Sequence, residues 1–127
     1  MGMEKVETHR APAAIGPYSQ AIKAGGFVFV SGQIPLTPEG VLVEGSVEDQ
    51  ARQALQNLKA VLEAAGSGLD RVVQVTAYLT DIAAFQAFNR VYAEFFQEPY
   101  PARAVVGVAE LPKGAKVEVA AVALGGA

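Results

Sequence analysis

The sequence predicts an α+β fold, a mixed sheet of about five to six strands with two helices on one face. Three observations carry this expectation. Two segments, residues 47–65 and 82–96, repeat apolar residues at helical spacing. The stretches around them are short, rich in Val and aromatic residues, and bounded by Gly or Pro. The 127 residues contain no linker, low-complexity tract or internal repeat, so one domain over residues 1–127 is expected.

Each element has its own signals. Residues 18–24 and 27–33 read as two strands joined by Gly25-Gly26, because tight hairpin turns need positive φ. A loop with Pro35, Pro38 and Gly40 follows. Ser46 is a natural N-cap for the first helix, with Glu48 and Asp49 where the helix dipole favours acids. Its stripe runs through Val47, Ala51, Ala54, Leu55, Leu58, Val61, Leu62 and Ala65, and Gly66 and Gly68 end it. Val72 to Leu79 is a strand. Asp81 is expected to cap a second helix carrying Ile82, Phe85, Phe88, Tyr92, Phe95 and Phe96 on one side, and Pro99 and Pro101 prevent its continuation. Ala102 to Val108 and Lys116 to Leu124 close the chain as strands.

Two helices cover only one face of such a sheet. A solvated second face should be polar. Yet Phe27 and Phe29 alternate with Val28 and Val30, Val106 follows Val105, and Val122 sits out of phase with Val117 and Val119. The second face therefore needs a cover, from loops or from another subunit, and the pattern favours an oligomer with sheet faces packed together.

Composition removes several classes of function. There is no Cys, hence no disulfide, zinc-thiolate site or thiol nucleophile. His9 is the only histidine, and it reads as an ordinary surface residue rather than part of a triad or a metal site. The net charge is −3 and Lys and Arg are scattered, which disfavours a nucleic-acid partner. No apolar run approaches the roughly 20 residues of a membrane span. The N-terminal Met-Gly-Met-Glu-Lys opens no signal-peptide stretch, so a cytoplasmic location is expected. With no Walker loop and no Gly-x-Gly-x-x-Gly fingerprint, nucleotide cofactors lack support.

Three polar residues interrupt apolar surroundings. Arg103 stands at the start of the strand Ala104-Val105-Val106, sharing a face with Val105. It is either an end-of-strand surface charge or a fork for a carboxylate. Glu118 lies between Val117 and Val119, on a face with Ala120 and Val122. It either points at water, pairs with a base such as Arg103, or is held for proton transfer with its pKa raised by partial burial. Asn89 falls among Phe85, Phe88 and Tyr92, where a buried amide needs a partner in the protein or in a ligand. The segments Ile15-Gly16-Pro17-Tyr18-Ser19-Gln20 and Val30-Ser31-Gly32-Gln33 place Gly and hydroxyls at strand ends, where ligands are commonly met.

Taken in order, these segments resemble the RidA (YjgF-type) family of reactive-intermediate imine and enamine deaminases. The resemblance runs from Ala11-Pro12-Ala13-Ala14-Ile15-Gly16-Pro17-Tyr18-Ser19-Gln20-Ala21 through Val30-Ser31-Gly32-Gln33-Ile34-Pro35 and Asn57-Leu58. It continues through Phe88-Asn89, Tyr92 and Phe95-Phe96 to Pro101-Ala102-Arg103, Leu111-Pro112 and Val117-Glu118-Val119. It implies a chorismate-mutase-like fold assembled as a homotrimer, the sheets packed inward as a barrel and the sites at subunit clefts. It also implies hydrolysis of species such as 2-aminoacrylate and 2-iminobutanoate to 2-keto acids and ammonia, with no cofactor and no metal. By the same resemblance, Arg103 grips the substrate carboxylate and Glu118 positions and polarises the attacking water. Tyr18, Ser31, Gly32 and Asn89 line the pocket, with Pro112 beside it. Val105 stands where many deaminating members have Cys, which implies a more apolar pocket. Two other functions remain open on the sequence: a non-enzymatic module binding small carboxylates, and the endoribonuclease or translation-inhibitor activity ascribed to some members.

Overall fold

The computed structural model describes residues 2–125. Six strands form one sheet: β1 (Glu4–Val6), β2 (Ala21–Ala24), β3 (Phe27–Gln33), β4 (Val72–Leu79), β5 (Ala102–Gly107) and β6 (Val117–Leu124). Two helices, α1 (Val47–Ala64) and α2 (Phe85–Phe95), lie in the β3–β4 and β4–β5 connections. The spatial order is β1-β2-β3-β6-β4-β5. The β4–β5 pair is parallel, and the other pairs are antiparallel.

Local chemistry accounts for most of these elements. The β2–β3 hairpin turns on Gly25 (φ 59) and Gly26 (φ 83), and Ala24 pairs with Phe27 across it. In α1, the Ser46 hydroxyl accepts from the Asp49 amide at 3.1 Å, and the Asp49 carboxylate accepts from the Ser46 amide at 3.4 Å. This reciprocal capping box satisfies two of the donors that a helix start leaves free.

The differences from the sequence reading are local. The first expected strand begins only at Ala21, because residues 18–20 turn toward the cleft described below. Asp81 caps a 3-10 turn, Ile82–Ala84, accepting from the Ala83 amide at 3.0 Å, and α2 proper starts at Phe85. The last two strands are each one residue shorter than expected. Strand β1 was not anticipated.

Both helices cover the same side of the sheet. Leu55, Leu58, Val61 and Leu62 of α1 and Phe88 and Val91 of α2 join Val28, Val75, Leu79, Val117 and Val119 in one buried cluster. Burying side chains of this size contributes about 1.5–3 kcal/mol each. On the opposite side, the out-of-phase residues stay accessible: Phe29 is 47 % exposed, Phe27 and Leu124 40 %, and Val106 39 %. Cross-strand partners share a face, so Ile22, Phe29 and Val122 form one apolar row there. The described loops leave Phe29 exposed and Ile22 and Val122 half-buried.

Candidate active site

The two residues singled out most strongly by the sequence lie on opposite faces of the sheet. Arg103 pairs with Val75 and Val105 with Ala77 in the parallel β4–β5 ladder; Val75 and Ala77 are fully buried beneath the helices. Arg103 and Val105 therefore face the helices. Glu118 pairs with Tyr78, out of phase with Val75 and Ala77, and faces the other way. An internal Arg103–Glu118 ion pair, which the sequence left open, is overturned by this register.

The Glu118 half of the site is a cleft of about 430 Å³ lined by Ile15, Tyr18, Ser31, Gly32, Ile34, Pro112, Lys113 and Glu118. Its shape follows from an irregularity in the β3–β6 ladder, where the register shifts between Val30 and Gln33. Such bulges re-aim the chain beside functional sites. Here the shift lays Gly32 against the Glu118 carboxylate: a Cβ at position 32 would lie 2.8 Å from the Glu118 Cδ. The Ser31 hydroxyl donates to the Ser19 carbonyl at 2.6 Å, and the Ser31 amide donates to the Gln20 carbonyl at 2.9 Å. Gln20 is buried and tied to the N-terminal segment, accepting from the Thr8 amide at 2.7 Å and donating to the Pro12 carbonyl at 2.8 Å. The exposed Tyr18 is turned back so that its hydroxyl accepts from the Ile15 amide at 3.4 Å. Burial raises the Glu118 pKa above the ordinary value of 4.5, and the carboxylate makes no ion pair among the described residues. A carboxylate in that condition is a competent proton acceptor near neutral pH.

The Arg103 half is built on α2. The Arg103 guanidinium carbon lies 4.6 Å from the Tyr92 ring centroid and 5.7 Å from that of Phe85. Asn89 is on the same stripe, one turn before Tyr92, and its Oδ1 is buried without a hydrogen-bond partner. Arg103 itself is exposed and forms no ion pair among the described residues, so its N–H groups are available to an anion. Val105 packs partly buried against the core.

The structure thus gathers Tyr18, Ser31, Gly32, Pro112 and Glu118 in one place and Asn89, Arg103 and Val105 in another. Sequence reasoning passed over Lys113 at the cleft, whose positive φ (63°) has no signature in an isolated Lys. It placed Phe85 and Tyr92 on one side of the second helix without connecting either ring to Arg103. His9 is exposed, and among the described residues no group of three or more His, Asp or Glu side chains is arranged to hold a metal ion. Among the described residues, no helix is long and apolar enough to cross a membrane.

Comparison with known proteins settles the family. The family model described as endoribonuclease L-PSP matches residues 8–125. The chain belongs to this family, the RidA (YjgF-type) group. Within the family it is 53 % identical over 121 residues to a RutC family protein of Pyrococcus horikoshii, covering 94 % of this chain and 96 % of that one. It is 49 % identical over 121 residues to reactive intermediate deaminase A, chloroplastic, of Arabidopsis thaliana, covering 94 % of this chain and 65 % of that relative. Among RidA-type structures, that of E. coli TdcF with bound serine superposes with a TM-score of 0.90 at 44 % identity, covering 95 % of this chain and 98 % of the other.

Proposed function

We propose that the protein hydrolyses reactive 2-enamine and 2-imine acids, such as 2-aminoacrylate and 2-iminobutanoate, to 2-keto acids and ammonia. The observation that carries the reading is the Glu118 carboxylate, held in the cleft against Gly32, forming no ion pair among the described residues, with its pKa raised by burial. Relatives named reactive intermediate deaminase support the reaction class, and a relative crystallised with serine supports a small carboxylate-bearing ligand. The enzyme acts on the imine tautomer. Glu118 takes a proton from water as the water oxygen bonds to the imine carbon, and the proton passes to nitrogen. From the resulting carbinolamine, Glu118 takes the hydroxyl proton as the C=O bond forms, the carbon–nitrogen bond breaks, the protonated nitrogen leaves as ammonia and the keto acid remains. Arg103 holds the substrate carboxylate through paired N–H donors, and the cationic protonated imine is stabilised by Glu118. General-base action of this kind contributes roughly 10²–10⁴-fold. Tyr18, Ser31, Gly32, Asn89, Val105 and Pro112 line the pocket, and no cofactor or metal is required.

A complete site needs a second copy of the chain, since Arg103 and Glu118 face opposite sides of one sheet. The reading is therefore a homotrimer of single-domain subunits in a chorismate-mutase-like arrangement, the open faces forming a central barrel and edge strand β5 of one subunit lying beside the neighbour's cleft. The apolar row of exposed Phe29 between half-buried Ile22 and Val122 supports that packing. A cytoplasmic location suits substrates released by amino-acid metabolism.

The test generates the imine with an amino-acid oxidase or threonine dehydratase and follows what remains with semicarbazide. The protein should speed imine loss, Arg103→Ala should abolish the gain, and Glu118→Ala should cost about 10²-fold or more. Wild-type rates in Arg103→Ala would sink the mechanism. Cleavage of RNA that survives repurification and Arg103→Ala would instead favour the activity for which the family model is named.

A further inference from the structure

The geometry points to Tyr92, assisted by Phe85, as the positioning residue for Arg103: the two rings form a rigid aromatic seat that presents the guanidinium edge to a carboxylate. The inference deepens the proposed function and rests on it for the identity of the ligand.

Arg103 lacks the partners that usually fix an arginine. No hydrogen bond or ion pair from its guanidinium is present among the described residues, whereas Arg52 is clamped on Glu94 at 2.8 Å and Arg90 reaches Glu48 at 3.1 Å. What Arg103 has instead is two rings, both within the roughly 6 Å at which a cation and an aromatic face attract. The two rings are seven residues apart on α2, hence on one helix face.

Tyr92 is suited to be the floor of the seat because it is buried and packed against two other rings. Its side chain is 6 % exposed. On one side it stacks on Phe96 with centroids 4.4 Å apart and planes 25° from parallel. Phe88 adds a tilted contact, its ring centroid 5.8 Å away. Its hydroxyl is buried without a hydrogen-bond partner, and burial holds the phenol pKa above its ordinary value against the pull of Arg103. The residue therefore meets Arg103 as a neutral ring face and not as a phenolate that would occupy the N–H groups.

Guanidinium is planar, so a ring covering one face leaves its edge donors free for two parallel bonds to a carboxylate. An arginine free in solvent has rotamer entropy to lose on binding. A seated one has lost part of it in advance, which strengthens binding without adding a contact to the ligand.

The experiment uses the assembled protein and two readouts. The first is NMR of the Arg103 side chain, whose δ and ε protons should be shifted upfield by the ring currents of the seat. The second is titration with 2-oxobutanoate, alongside KM and kcat in the imine assay. In Tyr92→Phe the shift should persist and affinity should stay near that of wild type. In Tyr92→Leu the shift should collapse, and affinity should fall on the order of tenfold, as KM rises while kcat changes little. Phe85→Leu alters a more exposed ring, keeps the fold if Tyr92→Leu does not, and should weaken binding by roughly twofold to fivefold. An unchanged Arg103 shift and unchanged affinity in folded Tyr92→Leu, or in Phe85→Leu where the former does not fold, overturns the seat. A loss in Tyr92→Phe equal to that in Tyr92→Leu overturns it too, because the hydroxyl would then be the active part. Ring-shifted Arg103 protons in a wild-type protein that binds no 2-oxobutanoate would leave the seat standing and remove the carboxylate clamp.

Discussion

Gly32 and Glu118 show how closely chemistry and backbone are joined in the cleft. A methyl group at position 32 would collide with the Glu118 carboxylate, and the rest of the β3–β6 bulge holds both in place. Gly32→Ala should therefore swing the carboxylate aside and lower kcat/KM on the order of 10²-fold, with circular dichroism unchanged. Glu118 also has a signature in stability. Its folded-state pKa is raised by burial, so the neutral form is the one the fold favours. That contribution is fully present below the ordinary carboxylate pKa and is lost as pH rises through the raised value. Glu118→Gln should consequently be more stable than wild type at neutral pH, the difference vanishing near pH 4 in urea melts, while the wild-type rate falls as pH drops through a pKa above 4.5.

At the scale of elements, α1 was the most readable part of the chain, because its cap, its acidic first turn and its apolar stripe all agree. Ser46→Ala should cost about 1 kcal/mol in urea unfolding, since it opens the capping box. Leu58→Ala should cost about 2–5 kcal/mol, since it empties a fully buried position. The ion pair between Arg52 and Glu94 is half exposed, and its removal should register well below either. Strand β1 was unreadable because its three residues bury only Val6, too little for a period to show. Arg103 and Glu118 were each legible as pattern breaks, but their relative placement was not. Strand β5 is apolar in both phases, Val105 against Val106, so its own sequence does not say which parity meets the helices. The register with β4 decides it, and register is a property of two strands.

For the whole molecule, the one-sided core has a separable second face. The helix-side cluster is formed within a single chain, whereas Phe29 and Val122 lie outside it on the open face. Phe29→Asp should therefore reduce the sedimenting mass to that of one 13.2 kDa chain while retaining helical circular dichroism. A wild-type protein already sedimenting at that mass at micromolar concentration would remove the oligomer.

The opposite facing of Arg103 and Glu118 has a consequence in genetics. A lesion in one and a lesion in the other need not disable the same cleft. Arg103→Ala and Glu118→Ala chains, each inactive alone, should complement when unfolded together and allowed to reassemble. With random mixing at equal amounts, roughly a quarter of the clefts would receive an intact residue from each neighbour. A cell carrying two different broken copies of this gene would then deaminate better than a cell carrying two of either kind.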